Sequence, residues 1–336
     1  MSNPILVEVI RGGVVESRHR GAMIAFNAQG ETLLSMGDVE ALVYPRSSLK
    51  LFQALPLIES GGADALGLSD KQIALSCASH SGEQMHVDAV SAWLNQLGLD
   101  EQALECGSTL PLEEPVLRAH IRAGGDGSKT HNNCSGKHAG MLSLATHLGQ
   151  GIKGYSTYEH PVTQTWLKVM SELSGVNMQE MVWERDGCGM PAPQMPLSAF
   201  AKGMAQFAAP ENHAPKRAAA IKRVLACMGK YPEMMAGTHR CCTAVIRQTK
   251  GEVIVKTGAE GVFGGVAPNL GIGFALKIDD GATRASEVAL GGLLNQLELI
   301  SQAKSEALSG FFEPKLMNSQ GWQTGVIRAA IYGFDK

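Results

Sequence analysis

Tyr44-Pro45-Arg46-Ser47-Ser48-Leu49-Lys50 sets a hydroxyl and an amine three residues apart where a helix is expected to begin. Side chains at i and i+3 share one helical face, so Ser47 and Lys50 can come within hydrogen-bonding reach. That layout suits a serine nucleophile whose proton is taken by lysine instead of histidine. A lysine base must start neutral, and an ordinary lysine, with a pKa of about 10.4, is neutral in about one molecule in a few thousand at pH 7. Burial or a nearby cation supplies the shift. Spacing alone decides nothing, because Ser301 and Lys304 repeat it inside Leu299-Ile300-Ser301-Gln302-Ala303-Lys304-Ser305-Glu306, which reads as a solvated helix face.

Three further clusters carry chemistry. Ser76-Cys77-Ala78-Ser79-His80-Ser81-Gly82-Glu83 is dense in hydroxyls and ends at an expected helix start. Ser81 reads as a helix cap there, whereas Ser79 lies too far from the helix to cap it and is open to a role in proton relay or substrate binding. His131-Asn132-Asn133-Cys134-Ser135-Gly136-Lys137-His138-Ala139-Gly140 leads into another helix, whose free amide groups and dipole favour an anion, a thiolate or a neutral lysine. Asp186-Gly187-Cys188-Gly189 is the third, with glycines that let the backbone approach something closely. Cys134 and Cys188, each in a polar Gly-rich loop, can converge on zinc, although no Cys-x-x-Cys spacing occurs and buried reduced thiols are the plainer reading. Late in the chain, Lys256-Thr257-Gly258 ends an expected strand, and Ser-x-x-Lys early with Lys-Thr-Gly late is the order of penicillin-binding proteins and serine β-lactamases.

Elements must bring these clusters together. Val7–Ile10, Val14–Ser17 and Met23–Phe26 read as strands, and Asn27–Gly30 as a hairpin turn into Glu31–Ser35. Roughly 46 to 235 is helical in period, with one apolar stripe at Met85, Ala89, Trp93 and Leu94 ending near Gly98, and another at Met141, Leu142, Ala145 and Leu148 ending at Gly149. Strands return at Cys242–Arg247, Glu252–Lys256 and Gly273–Ile278, followed by a helix through Leu293 and Leu297. Both chain ends should therefore build one sheet (about 1–45 and 236–336), with the helical region of about 46–235 packed beside it.

The 336 residues, 44% hydrophobic, can bury a large core. Net charge is −3 with both signs interspersed, which argues against nucleic-acid partners or an anionic membrane surface. No apolar run is long enough to span a bilayer. Seven cysteines, an odd number, with no secretory signal lead to an expectation of reduced thiols in a cytoplasm.

Taken together, Arg46–Lys50, Cys77–Glu83, His131–Gly140 and Asp186–Gly189 resemble the rhizobial-type (thermolabile) L-asparaginase family, over nearly the whole chain. The resemblance implies an α+β fold similar to serine β-lactamases and serine-dependent glutaminases, with a mainly antiparallel sheet and an inserted helical region. It implies Ser47 as nucleophile beside Lys50 and a second tandem of Ser79 with Lys256. Arg46, Glu83, His138 and Asp186 are the expected substrate-binding residues, with Arg46 or the helix start at residue 137 to take the substrate α-carboxylate. It also implies a zinc ion on Cys134, Lys137 and Cys188, whereas spacing alone favours His131 or His138 over a lysine ligand. The implied substrate is L-asparagine and the implied assembly a homodimer. A glutaminase or another amidase of this fold remains open, as does a non-catalytic zinc-bound amino-acid sensor.

Overall fold

The computed structural model describes residues 2–330, which divide into two compact units. Among the described residues one unit comprises 2–48, 195–209 and 244–330, and the other 49–194 and 210–243.

The first unit is built on an eight-stranded sheet in which every pairing is antiparallel. Its order is Lys315–Met317, Gln323–Ala329, Ile5–Arg11, Val14–Asn27, Ile272–Ile278, Val262–Ala267 and Ile254–Gly258, with Thr32–Met36 also pairing to Val14–Asn27. Val14–Ser17 and Met23–Phe26, expected as two strands, are one strand of 14 residues. Its first half pairs with Ile5–Arg11 and alternates in burial; its second half pairs with Ile272–Ile278 and is buried on consecutive residues. Consecutive burial requires cover on both faces, and helices Leu197–Ala208 and Thr283–Gln296 pack on these strands. Gly273 permits the closest approach: a Cβ there would lie 2.0 Å from the backbone nitrogen of Ala205.

Cys242–Arg247 is not a strand but part of the helix Cys241–Gln248. Thr243, Val245 and Ile246 supply β-propensity, yet the buried residues Cys241, Cys242, Val245 and Ile246 recur with helical period, and burial overrides propensity.

The second unit is helical. Its centre is Ser135–His147, buried without a break from Ser135 to Ala145. The one-sided stripe expected there is therefore a helix buried all round, while Leu148, expected within the stripe, is 39% exposed. Helices Lys50–Glu59, Asp70–Ser76, Gln84–Gln96 and Pro161–Ser174 surround it. Gly136 and Gly140 sit where it meets Leu75 and Ser76. Among the described residues no helix is long and apolar enough to cross a membrane.

Candidate active site

In the sheet unit, Ser47 stands on a single 3-10 turn, Arg46–Leu49, which runs directly into the helix starting at Lys50. Arg46 has φ +54°, a left-handed conformation that costs a non-glycine residue about 1 kcal/mol or more. The turn is closed by Ser48, whose N–H and Oγ both donate to Pro45 O, at 3.2 and 2.5 Å. It packs on the end of strand Ile254–Gly258, where a Cβ on Gly258 would lie 2.3 Å from Pro45 O. Lys256, two residues earlier on the same strand face, is 1% exposed and donates to Thr257 O at 2.8 Å. The repeat pair resolves differently: Ser301 Oγ caps a helix by accepting from the Lys304 N–H, and the Lys304 ammonium pairs with Glu252 at 2.6 Å.

In the helical unit, Lys50 has no exposed surface, and its Nζ bonds to Ala78 O, Ser79 Oγ (2.9 Å) and Cys134 Sγ (3.1 Å). An ammonium has three N–H donors, so these neighbours use all of them. A neutral amine would keep two donors and turn its lone pair to the Ser79 hydroxyl, the one neighbour able to reverse its role by donating strongly. The loop holding Ser79 is pinned by Ser79 N–H to Met235 O (2.9 Å) and His80 N–H to Asn133 O (3.1 Å). Ser81 is not the cap expected of it: its Oγ donates to Glu83 Oε1 at 2.6 Å. The Glu83 carboxylate also accepts from Thr238 N–H and Oγ1, at 2.8 and 2.6 Å. Burial opposes ionisation of Glu83, but these bonds outweigh it and hold the carboxyl below its usual range.

Cys134 and Cys188 meet. Cys134 precedes the central helix, its N–H bonded to Asn132 Oδ1 at 3.0 Å, and Asn132 is anchored in turn on Gly107 O. Cys188 lies in the turn Asp186–Met190, between the short paired strands Trp183–Arg185 and Pro191–Pro193. A hydrogen bond to Cys188, reinforced by burial, pushes the Cys134 thiol up to about 12. The same bond and the Lys137 cation, whose Nζ lies 2.9 Å away, hold Cys188 well below the usual thiol range despite its burial. Burial would lower Lys137, but Cys188, Cys134 and Asp186 raise it. The result is a chain of donors, Lys50 to the Cys134 thiol to the Cys188 thiolate, with the Lys137 ammonium closing the far end.

No group of three His, Cys, Asp or Glu side chains suited to a metal ion occurs among the described residues. A zinc ion would therefore need the Lys137 amine as its third donor. Two sulfurs and that nitrogen converge, which fits a three-ligand zinc site with an open position; binding would displace the protons on Cys134 and Lys137. His138, adjacent in the helix and fully buried, is held neutral, its pKa lowered to about 3 by burial and by Lys137. Its Nδ1 meets Tyr155 Oη at 2.6 Å, and its Nε2 has no partner among the described residues. His131, the other histidine that spacing favours, is turned to Ser128 Oγ at 2.7 Å. Tyr155 and Glu105, which support His138, carry no signal in the sequence, since nothing near them in the chain has a chemical pattern. A cavity of about 830 Å³ lined by Gly291, Glu313 and Arg328 contains none of these residues.

Among solved structures the chain is similar to Mglu in its native form, at 12% identity and a TM-score of 0.45, covering 83% of this chain and 60% of that one. It is also similar to β-lactamases from Sphaerobacter thermophilus (12% identity, TM-score 0.42, 84% of this chain, 93% of that) and Mycobacterium bovis (12%, 0.40, 87% and 94%). No curated protein sequence matches significantly. The family model of L-asparaginase II, however, matches residues 7–329, which takes in every cluster described above, and the chain belongs to the L-asparaginase II family.

Proposed function

We propose that this chain hydrolyses L-asparagine to L-aspartate and ammonia through an acyl-enzyme on Ser47. Ser47 Oγ attacks the side-chain amide carbon while its proton passes to Lys50, three residues along the same turn-to-helix segment. The tetrahedral oxyanion collapses, the C–N bond breaks, and the nitrogen leaves as ammonia with a proton returned by the Ser–Lys groups. Water then attacks the ester carbon, and aspartate departs as Ser47 recovers its proton. Ser79 is the second hydroxyl of the relay, and Lys256 supplies positive charge. Arg46 and Asp186 are assigned to the two charged ends of the amino acid, and Glu83 to the loop that frames it.

The observation that carries this reading is Lys50, an amine with no exposed surface, bonded to a serine hydroxyl and a cysteine sulfur. Burying an amine is expensive unless its proton is used. A zinc ion on Cys134, Cys188 and Lys137 belongs to the same proposal and would supply positive charge beside the substrate. The homodimer and the cytoplasmic setting implied by the resemblance are part of it too.

Ammonia release from L-asparagine and from L-glutamine, with wild type and Ser47→Ala, each with and without chelator, is the test. Release from asparagine that disappears in Ser47→Ala supports the reading. Wild-type rates in that variant would sink the serine mechanism. Tight asparagine binding without any ammonia would make the chain a sensor.

A further inference from the structure

Tyr155 has no exposed surface, and its hydroxyl has two polar neighbours: the Glu105 N–H, which donates to it at 2.9 Å, and His138 Nδ1 at 2.6 Å. Glu105 grips the tyrosine from both sides in sequence, its carboxylate accepting from the N–H groups of Gly154 and, at 2.9 Å, Ser156. The rings of Tyr155 and His138 meet edge to face, with centroids 5.5 Å apart. Both side chains are thus fixed in orientation, and one question is left: which of them carries the proton between them.

The donors and acceptors around the two rings decide it. The Glu105 N–H takes one lone pair of the tyrosine oxygen. If Nδ1 carried the histidine proton and donated it to the second lone pair, the tyrosine O–H would be buried without an acceptor, and Nε2 would be buried without a donor. If the tyrosine donates to Nδ1, one group alone stays unmatched, the N–H on Nε2. Buried polar groups are matched wherever geometry allows. We propose that Tyr155 is a positioning residue: its hydroxyl donates to Nδ1 of His138, fixes the ring proton on Nε2, and makes that N–H a donor for a carboxylate oxygen of the bound amino acid. His138 is then not a metal ligand, since its Nε2 lone pair is occupied by the proton. A carboxylate suits the place, because the Nε2 donor belongs to the first turn of the helix Ser135–His147, where the dipole favours an anion and Lys137 is adjacent. The carboxylate ligand rests on the asparaginase reading; the tautomer does not.

Nitrogen NMR of ¹⁵N-histidine-labelled protein, zinc-loaded and chelator-treated, reads the tautomer directly, with His138→Gln identifying the resonances. The expected spectrum has a protonated Nε2 and an unprotonated Nδ1 in both samples, and a shift of the Nε2–H signal on adding L-aspartate. A protonated Nδ1, or an Nε2 resonance that changes type when zinc is added, overturns the assignment. No shift with saturating L-aspartate overturns the carboxylate role. In Tyr155→Phe the two tautomers should mix, and KM for asparagine should rise about tenfold, with kcat within about twofold and bound zinc unchanged. A loss in kcat at constant KM would overturn the positioning role. Should the wild type release no ammonia, the ligand-free spectrum still decides the Tyr155 inference by itself.

Discussion

Lys50 and Lys256 are the two residues that chain chemistry and structure both single out, and both are almost fully buried. Removing the amine at Lys50 takes away its hydrogen bonds to Ala78 O and Ser79 Oγ, so Lys50→Met should lose turnover by about 10³-fold or more; methionine fills the same volume and keeps the fold, while the lost buried bonds should lower stability by about 1–3 kcal/mol. Retained turnover would assign the base elsewhere. Cys188→Ala removes a sulfur from the converging donors; metal analysis after dialysis against zinc should find the variant empty and the wild type loaded, and equal loading would dissociate Cys188 from any metal site. At this scale the sequence was most readable where chemistry is consecutive. Cys134, Lys137 and His138 lie within five residues, and the Ser-x-x-Lys spacing at Ser47 is local. Tyr155 was invisible, since its meaning lies in contacts to residues distant in the chain, His138 at 2.6 Å and the Glu105 N–H at 2.9 Å. The decoy pair Ser301 and Lys304 shows the limit of spacing: the same letters make a helix cap when the amine turns away to Glu252.

Elements position these residues through contacts that leave no space. The turn carrying Ser47 rests on the end of the strand carrying Lys256, and Gly258 is the point of contact. Gly258→Ala must push Pro45 O by more than an ångström, so it should destabilise the chain by about 1–3 kcal/mol and lower kcat by more than the same change elsewhere. Gly310→Ala is the control, for a Cβ there meets nothing within 4 Å, and its stability should stay within about 1 kcal/mol of wild type. Equal kinetics for the two variants would remove Gly258 from any role in holding the serine turn. Element ends marked by glycine were legible: Gly98 and Gly149 follow their helices with left-handed backbone, as helix-terminating glycines do. The helix Cys241–Gln248 was misread because three of its residues are β-branched, and no local signal told which period would win once its apolar side met the core.

Across the molecule, burial of histidine sets how stability responds to acid. Burial holds His80 and His86 below the ordinary histidine range, with neighbouring positive groups adding to the effect at His80, and it takes His138 down to about 3. The unfolded chain binds a proton at each near pH 6.5. Below that pH the unfolded state therefore holds more protons than the native one, and stability falls as pH falls. The contribution is complete above about pH 6.5 and is lost progressively toward the folded pKa. For His138 alone the loss between pH 6.5 and 5 is about 2 kcal/mol, at about 1.4 kcal/mol per pH unit. Cys188, held well below the usual thiol range in the folded chain, adds a loss in the same direction through this window, whereas the raised groups, Cys134 and Lys137, titrate only in the alkaline range. The carboxyls held low, such as Glu83, begin to contribute in the same direction only at lower pH. Denaturant unfolding of chelator-treated protein, which removes any metal release from the comparison, should thus show a weaker native state at pH 5 than at pH 7. His138→Gln should flatten the dependence by the amount assigned to that residue, because glutamine can accept the Tyr155 proton without a charge to gain. A pH-independent midpoint in the wild type would mean that these histidines are protonated in the folded chain, and with it the neutral His138 bonded to Tyr155 would fail as a description of the native state.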